Sequence, residues 1–147
     1  MNSDNNHPRA VRMTYESIRV GYSASFTKKV TRDEVMAFAK LTGDYSPRHV
    51  DTAFGKKSSF GTNLVHGMLA GSLFSTLVGM HCPGEESLYL SQTLQFKTPI
   101  FYDDTLLVRG TVTALSDAIR MVTLRTEILK DGVVAVDGEA RVRVSHE

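Results

Sequence analysis

The sequence has little of several features that mark large functional classes of protein. Its 147 residues include one cysteine, Cys82, so no disulfide can form within the chain, as is usual in a reducing compartment. The 17 lysines and arginines nearly balance the 16 aspartates and glutamates, and a formal charge of +1 gives no long-range field to attract nucleic acid or anionic lipid. We therefore expect no nucleic-acid or membrane partner, and a ligand must be selected by a local site.

No stretch of the chain predicts export or insertion into a bilayer. The first ten residues, MNSDNNHPRA, contain no apolar segment, and we expect no secretory signal. The most apolar stretch, Val65 to Met80, has 16 residues and is too short to span a membrane comfortably. These observations predict a cytoplasmic location, or an organellar matrix in a eukaryote, with a polar tail at residues 1–18 and a single domain at residues 19–147.

The sequence predicts no metal site and no cofactor. There is no glycine motif of the kind that binds phosphate. Cys82, within HCPG, is more typical of a loop after a helix than of a catalytic nucleophile. The histidines show no ligand-pair spacing; they are His7, His49, His66, His81 and His146.

Two helices with different surroundings are predicted. After a first strand at residues 22–29, Thr31 and Glu34 form a capping box, and Gly43 is suited to end the helix that follows. The second helix, Val65 to Met80, has almost no charge along its length. It therefore lacks a polar face and should be buried on most sides.

The second half of the chain predicts four antiparallel strands, because turns rather than helices separate its apolar stretches. Residues of one parity are apolar and should form one buried face; they include Leu88, Leu90, Leu94, Phe96, Leu106, Val108, Val112, Val122, Leu124, Ile128, Val136, Ala140 and Val142. A sheet curled around the apolar helix buries both surfaces at once. The predicted fold is therefore α+β, the hot-dog arrangement, and its open edges predict a homodimer.

The loop LTGDYSPRHVD, residues 41–51, contains the strongest candidates for chemistry. Pro47 favours an extended Ser46, so we expect a structured loop that directs Asp44 and His49 to one point. Asp44 would alternatively make only a turn or cap, with His49 merely packed. If the two side chains share a water molecule, they can remove its proton and return one to carbon. The amide of Gly67, at the start of the buried helix, could then stabilise the enolate of a thioester.

The motifs GDYSPRH at residues 43–49 and VHGM at residues 65–68 resemble those of the MaoC-type hydratases, and the similarity covers most of the chain. The resemblance implies a hot-dog dimer that adds water to trans-2-enoyl-CoA. It implies that Asp44 and His49 are the acid-base pair, that Gly67 is the oxyanion donor and that Ser75 supports the site. The family usually has asparagine where this chain has Ser46.

The sequence therefore predicts an (R)-specific enoyl-CoA hydratase acting on a thioester of CoA or acyl carrier protein. A hot-dog thioesterase and a noncatalytic acyl-thioester-binding module are the alternatives. Arg48 would face either CoA phosphates or solvent. The residues expected to contact substrate are Tyr45, His66, Met68, Val78 and Leu88.

Overall fold

One antiparallel sheet of six strands forms the framework of the protein. The computed structural model describes residues 6–145, so the first five residues of the predicted tail and His146 lie outside the described residues. The strands are β1 Ser23–Lys29, β2 Ser87–Gln92, β3 Gln95–Phe96, β4 Thr105–Ser116, β5 Met121–Lys130 and β6 Val133–Val144. They lie in the order β1-β4-β5-β6-β2, and β3 also pairs with β6.

The apolar helix packs on one face of this sheet. The α-helices are α1 Arg32–Thr42, α2 Pro47–Val50, α3 Thr52–Lys57 and α4 Gly67–Thr76, and α4 continues into a π-helical turn at Leu77–His81. Phe74 of α4 and Leu77 are fully buried in one core cluster with Leu106, Val108 and Ile128 of the sheet. The predicted hot-dog architecture is therefore confirmed. None of the helices within residues 6–145 is long and apolar enough to cross a bilayer.

The local signals around α1 produce the predicted geometry. Thr31 Oγ1 accepts the amide of Glu34 at 3.2 Å, and the Glu34 carboxylate accepts the amide of Thr31 at 2.9 Å. Gly43 ends the helix with φ at 81°, in the left-handed region where a side chain would be strained. The helix therefore begins and ends at fixed residues, and Asp44 follows directly after the glycine that ends it.

The predicted buried face is wrong in β2. Leu88 and Leu90 are each 49% exposed, whereas Tyr89 between them packs against a core cluster. In the observed register Leu88 is opposite Arg143 and Tyr89 is opposite Val142, which is buried. Because apolar residues occupy both parities of this strand, the pairing with β6, rather than the alternation, decides which face enters the core.

Helix α4 is less enclosed than its composition predicts. It begins at Gly67 rather than Val65, and Met68 is 59% exposed. Ser72 and Ser75 are also exposed. A helix with no charged residue thus keeps one open face in the single chain.

Part of the predicted tail belongs to the core. Tyr15 and Ile18, within the segment predicted as a polar tail, are buried in the cluster that contains Cys82. Backbone contacts also hold the preceding residues, since Val11 N donates to Met80 O at 3.0 Å. The boundary at residue 18 is therefore too late, because the apolar side chains of Tyr15 and Ile18 are buried.

Candidate active site

A cavity of about 460 Å³ opens between the start of α4 and the loop that joins α1 to α2. A volume of this size is in the range of small-molecule sites. Its walls combine titratable, apolar and backbone groups; they include Asp44, His49, His66, Gly67, Met68 and Ile100. The two predicted acid-base residues and the predicted oxyanion donor therefore line one cavity.

Asp44 is fixed by a turn that leaves one carboxylate oxygen available. Its Oδ1 accepts the amide of Ser46 at 3.1 Å, and its own amide donates to Thr42 Oγ1 at 3.2 Å. The side chain is half exposed. The alternative of a simple turn is thus correct for Oδ1, while Oδ2 faces the histidines of the site.

His49 lies on the short helix α2, where the sequence predicted a loop. Pro47 occupies the first turn of α2, after an extended Ser46, as prolines at helix starts commonly do. The Nδ1 atom of His49 lies 2.8 Å from the carbonyl oxygen of Leu64. Because a carbonyl only accepts hydrogen bonds, Nδ1 carries the proton, and Nε2 of the neutral ring has a free lone pair.

A third residue, His66, completes the cluster. One ligand atom from each of Asp44, His49 and His66 lies within 4.8 Å of the others. The two imidazoles stack with ring centroids 4.1 Å apart, and His66 Nε2 is 3.9 Å from Asp44 Oδ2. Such a group can hold a water molecule, and its donor atoms are also of the kind that bind a divalent metal ion. The spacing of histidines in the sequence did not reveal it, because the fold joins residues far apart in the chain.

Two residues outside the cavity support residues 44–51, the segment that contains Asp44 and His49. Asn63 is buried, and its Nδ2 donates to the carbonyls of Pro47, Arg48 and Asp51 at 3.3, 3.1 and 2.8 Å. The hydroxyl of Tyr102 donates to the carbonyl of His49. Burial raises the pKa of Tyr102, which keeps this hydroxyl protonated. Neither role was predicted, because the interacting residues are far apart in sequence and no local pattern reports the contact.

The start of α4 has the geometry expected of an oxyanion donor. Gly67 is the first residue of the helix, so its amide has no partner four residues earlier within the helix. A Cβ atom at this position would lie 3.0 to 3.3 Å from the ring of Phe96. Glycine therefore allows Phe96 to pack against the helix start beside the cavity.

The other predicted site residues are divided between the cavity and distant places. Met68 lines the cavity, and Tyr45 is exposed on the loop beside Asp44. Ser75 is exposed further along α4, Val78 is buried in the core, and Leu88 lies on the outer face of β2, so none of these three lines the cavity. Arg48 is exposed on α2, with its guanidinium 5.8 Å from the centre of the Phe54 ring, in keeping with the solvent alternative.

Cys82 has no part in this chemistry. It is fully buried in the second core cluster, and burial raises the pKa of its thiol to about 11. A thiol of this kind is not ionised near neutral pH, so it is a poor nucleophile. The prediction of a noncatalytic cysteine agrees with this position.

Comparisons with known proteins point to one family. The MaoC like domain family matches residues 16–144. The (R)-specific enoyl-CoA hydratase of Aeromonas caviae is 43% identical over 133 residues, covering 90% of this chain and 99% of that protein. A mitochondrial 3-hydroxyacyl-[acyl-carrier-protein] dehydratase of Solanum lycopersicum is 32% identical and covers 84% of this chain and 75% of its own length. The structure of the R-hydratase PhaJ1 from Pseudomonas aeruginosa superposes with a TM-score of 0.88 at 31% identity, covering 92% of this chain and 88% of that one.

Proposed function

Because this chain belongs to the MaoC like domain family, we propose that it is an (R)-specific enoyl-CoA hydratase. The enzyme adds water to the double bond of a trans-2-enoyl thioester and gives the (R)-3-hydroxyacyl product, and the reverse reaction is a dehydration. The similarity to a hydratase of that name over 90% of the chain supports this function, and the family predicted from the two motifs is confirmed. The observation that carries the proposal is the convergence of Asp44, His49 and the Gly67 amide on one cavity.

His49 is the residue that accepts a proton from water. Its Nδ1–H is held by the carbonyl of Leu64, so Nε2 presents a lone pair to the cavity. Nε2 takes one proton from the water as its oxygen bonds to C3 of the substrate, and the imidazolium then returns a proton to C2. Asp44 Oδ2 accepts a hydrogen bond from the second O–H of the water, which stays on the oxygen as the product hydroxyl, and so orients the attacking oxygen. Acid-base catalysis of this type contributes about 10²- to 10⁴-fold to the rate.

The start of α4 stabilises the charge that develops on the thioester oxygen. As water adds to C3, electrons move through the conjugated system and the carbonyl becomes an enolate. The Gly67 amide, reinforced by the positive end of the helix dipole, donates to that oxygen. An oxyanion donor is worth about 10²- to 10³-fold in rate.

The test measures the loss of conjugated-enoyl absorbance of crotonyl-CoA with the wild-type protein and with Asp44→Asn and His49→Gln. Each substitution is expected to reduce kcat by about 10²-fold or more, because it removes a group that acts on the water. Asp33→Asn, on the exposed first turn of α1, is the matched control and should retain full activity. Full activity in either site variant would refute the assigned roles.

Product analysis distinguishes the alternatives that the sequence left open. Hydration keeps the thioester intact, so a thiol reagent should detect no free CoA, whereas a thioesterase would release it. Chiral chromatography of the product should give the (R) alcohol. Parallel assays with crotonyl-CoA and the crotonyl thioester of acyl carrier protein would identify the preferred carrier, since relatives named for each carrier match this chain.

We also propose that the working form is a homodimer in the cytoplasm. The uncharged helix α4 has an open face with Met68 at its start, and β2 lies at an edge of the sheet. A second copy of the chain is the occupant that would cover both, since an open strand edge and an apolar helix face are usually protected. A single buried cysteine supports a reducing location.

A further inference from the structure

We propose that His66 is a positioning residue for the hydration, and not the substrate-binding residue expected from the sequence. This inference rests on the proposed function, because it assigns a role within the same site. His66 is only 2% exposed, so its ring offers little surface to a ligand. Its contacts include both of the residues that act on the water.

The first contact fixes the backbone of the acid. His66 Nε2 lies 3.0 Å from the carbonyl oxygen of Asp44. Since the carbonyl is an acceptor, Nε2 carries the hydrogen and donates it, and Nδ1 is the unprotonated nitrogen of the neutral ring. This hydrogen bond joins residues that are 22 positions apart in the sequence. It connects the turn at Asp44 to the start of α4, the helix that provides the oxyanion donor.

The same geometry keeps His66 from competing with the reaction. The distance from Nε2 to Asp44 Oδ2 is 3.9 Å, beyond hydrogen-bond range. The carboxylate oxygen that orients the water therefore accepts no hydrogen bond from His66 Nε2. His66 Nδ1 is buried and finds no hydrogen-bond partner among the described residues.

The second contact supports the base. The ring of His66 stacks on that of His49 at 4.1 Å with an interplanar angle of 28°, and it also touches the ring of Phe38 at 4.8 Å. His49 is thus held by the Leu64 carbonyl at one edge and by the His66 ring at one face. One buried side chain therefore sets the relative placement of both acid-base groups and relates them to the start of α4.

A misplacement of about 1 Å in a catalytic group can cost about 10²-fold in rate. We therefore expect His66→Leu, which keeps apolar volume but has no donor, to lower kcat by about 10- to 100-fold and to change KM by less than about threefold. In His66→Gln the side-chain amide nitrogen stands near the position of the imidazole Nε2, so it restores the donor to Asp44. His66→Asn is shorter and places its amide near Nδ1, where it cannot reach that carbonyl.

The experiment measures kcat and KM for wild type, His66→Leu, His66→Gln and His66→Asn with crotonyl-CoA, together with the urea unfolding midpoint of each. The expected result is that the kcat of His66→Gln is at least tenfold higher than that of His66→Leu and of His66→Asn. KM should be nearly the same in all four proteins. If His66 bound substrate, KM would rise in every variant, and that result overturns the proposal. If the ring only filled space, Leu would be the best tolerated variant and Gln would give no rescue, which also overturns it.

Two failures remain distinguishable by design. An inactive wild-type protein refutes the proposed function itself. An active wild type with equal kcat in all three variants refutes only the role of His66. If Leu unfolds, the comparison of Gln with Asn still decides the matter, because both are polar and differ in the reach of the same amide group.

Discussion

At the scale of single residues, the segment 44–51, which contains Asp44 and His49, is held through its backbone carbonyl oxygens. Asn63 and His66, from the segment between α3 and α4, and Tyr102, from the connection between β3 and β4, donate to carbonyls of residues 44–51. A loop fixed in this way keeps its side chains free for chemistry. Changes at these donors should therefore affect catalysis without touching the reacting groups.

Asn63→Ala tests the donor that serves three carbonyls. The substitution removes the three hydrogen bonds that the Nδ2 of Asn63 donates to the carbonyls of Pro47, Arg48 and Asp51, which costs about 1–3 kcal/mol in the free energy of unfolding. Urea unfolding should detect the loss, and kcat should fall because His49 lies on the same short helix. Thr62→Ala, at the exposed neighbouring position, is the control and should match wild type. An unchanged unfolding midpoint in Asn63→Ala would show that the three hydrogen bonds from Asn63 do not stabilise the fold.

Tyr102→Phe removes the hydroxyl that donates to the His49 carbonyl. The expected result is a loss of about 1 kcal/mol in stability and a several-fold decrease in kcat, since the rest of the ring stays in place. The exposed Tyr22 offers a matched Phe substitution that should change neither quantity. Equal kcat values for Tyr102→Phe and wild type would show that this hydrogen bond does not position the base.

The residues of the site differ in how far the sequence could reveal them. The meeting of Asp44, His49 and Gly67 at one cavity was predictable, because one short motif contains the first two and a second motif contains the third. The roles of Asn63 and His66 were not, because each donates to a carbonyl 12 to 22 positions away. A polar side chain in a loop gives no local signal that it will be buried, so these contacts required the fold.

At the scale of elements, α1 was predictable because its ends are fixed by neighbouring residues. The capping box and the left-handed glycine involve contacts within a few positions. The buried face of β2 was not, because Leu88, Tyr89 and Leu90 are all apolar and only the register with β6 selects the inner face. Local signals thus determined the helix, and long-range pairing determined the strand.

Glu34 links the stability of α1 to pH. Its pKa is lowered by the hydrogen bond from Lys28 and by the amide of Thr31. A lowered pKa means that the carboxylate stabilises the fold fully above its ordinary pKa of 4.5, and that this contribution is lost as pH falls through the lower value in the folded protein. Gln can keep the capping box, so Glu34→Gln loses the partly exposed ion pair with Lys28, and we expect it to be less stable than wild type by about 0.2–1 kcal/mol near neutral pH.

Urea unfolding at several pH values would check this expectation. The difference between wild type and Glu34→Gln should shrink toward zero as the pH falls below the folded-state pKa of Glu34. Asp33→Asn lies in the same helical turn, outside the capping box, and should show a smaller difference. A constant difference between the Glu34 variant and wild type across this range would contradict the ionic origin of the effect.

At the scale of the whole molecule, the open face of α4 predicts the oligomeric state. Light scattering should give twice the 16.2 kDa of one chain. Ser72→Arg places a charge on the exposed face of this uncharged helix and should shift the population to monomer. Ser59→Arg, on the exposed loop after α3, should remain dimeric. A monomeric wild type would contradict the proposed dimer, and an unaffected Ser72→Arg would exclude this face from it.

The position of β1 in the sheet has a consequence for the order of events as the protein is synthesised. This strand has one neighbour, β4, and the paired residues Ser23 and Thr111 are 88 positions apart. During translation, which proceeds at about 5–20 residues per second, β1 waits several seconds for the strand that covers its backbone. Before β4 is synthesised, α1 and residues 44–51 have no complete sheet to pack against, so the nascent chain cannot fold until the C-terminal strands are made. A ribosome-stalled fragment that ends before β4 should therefore be sensitive to proteases throughout its length.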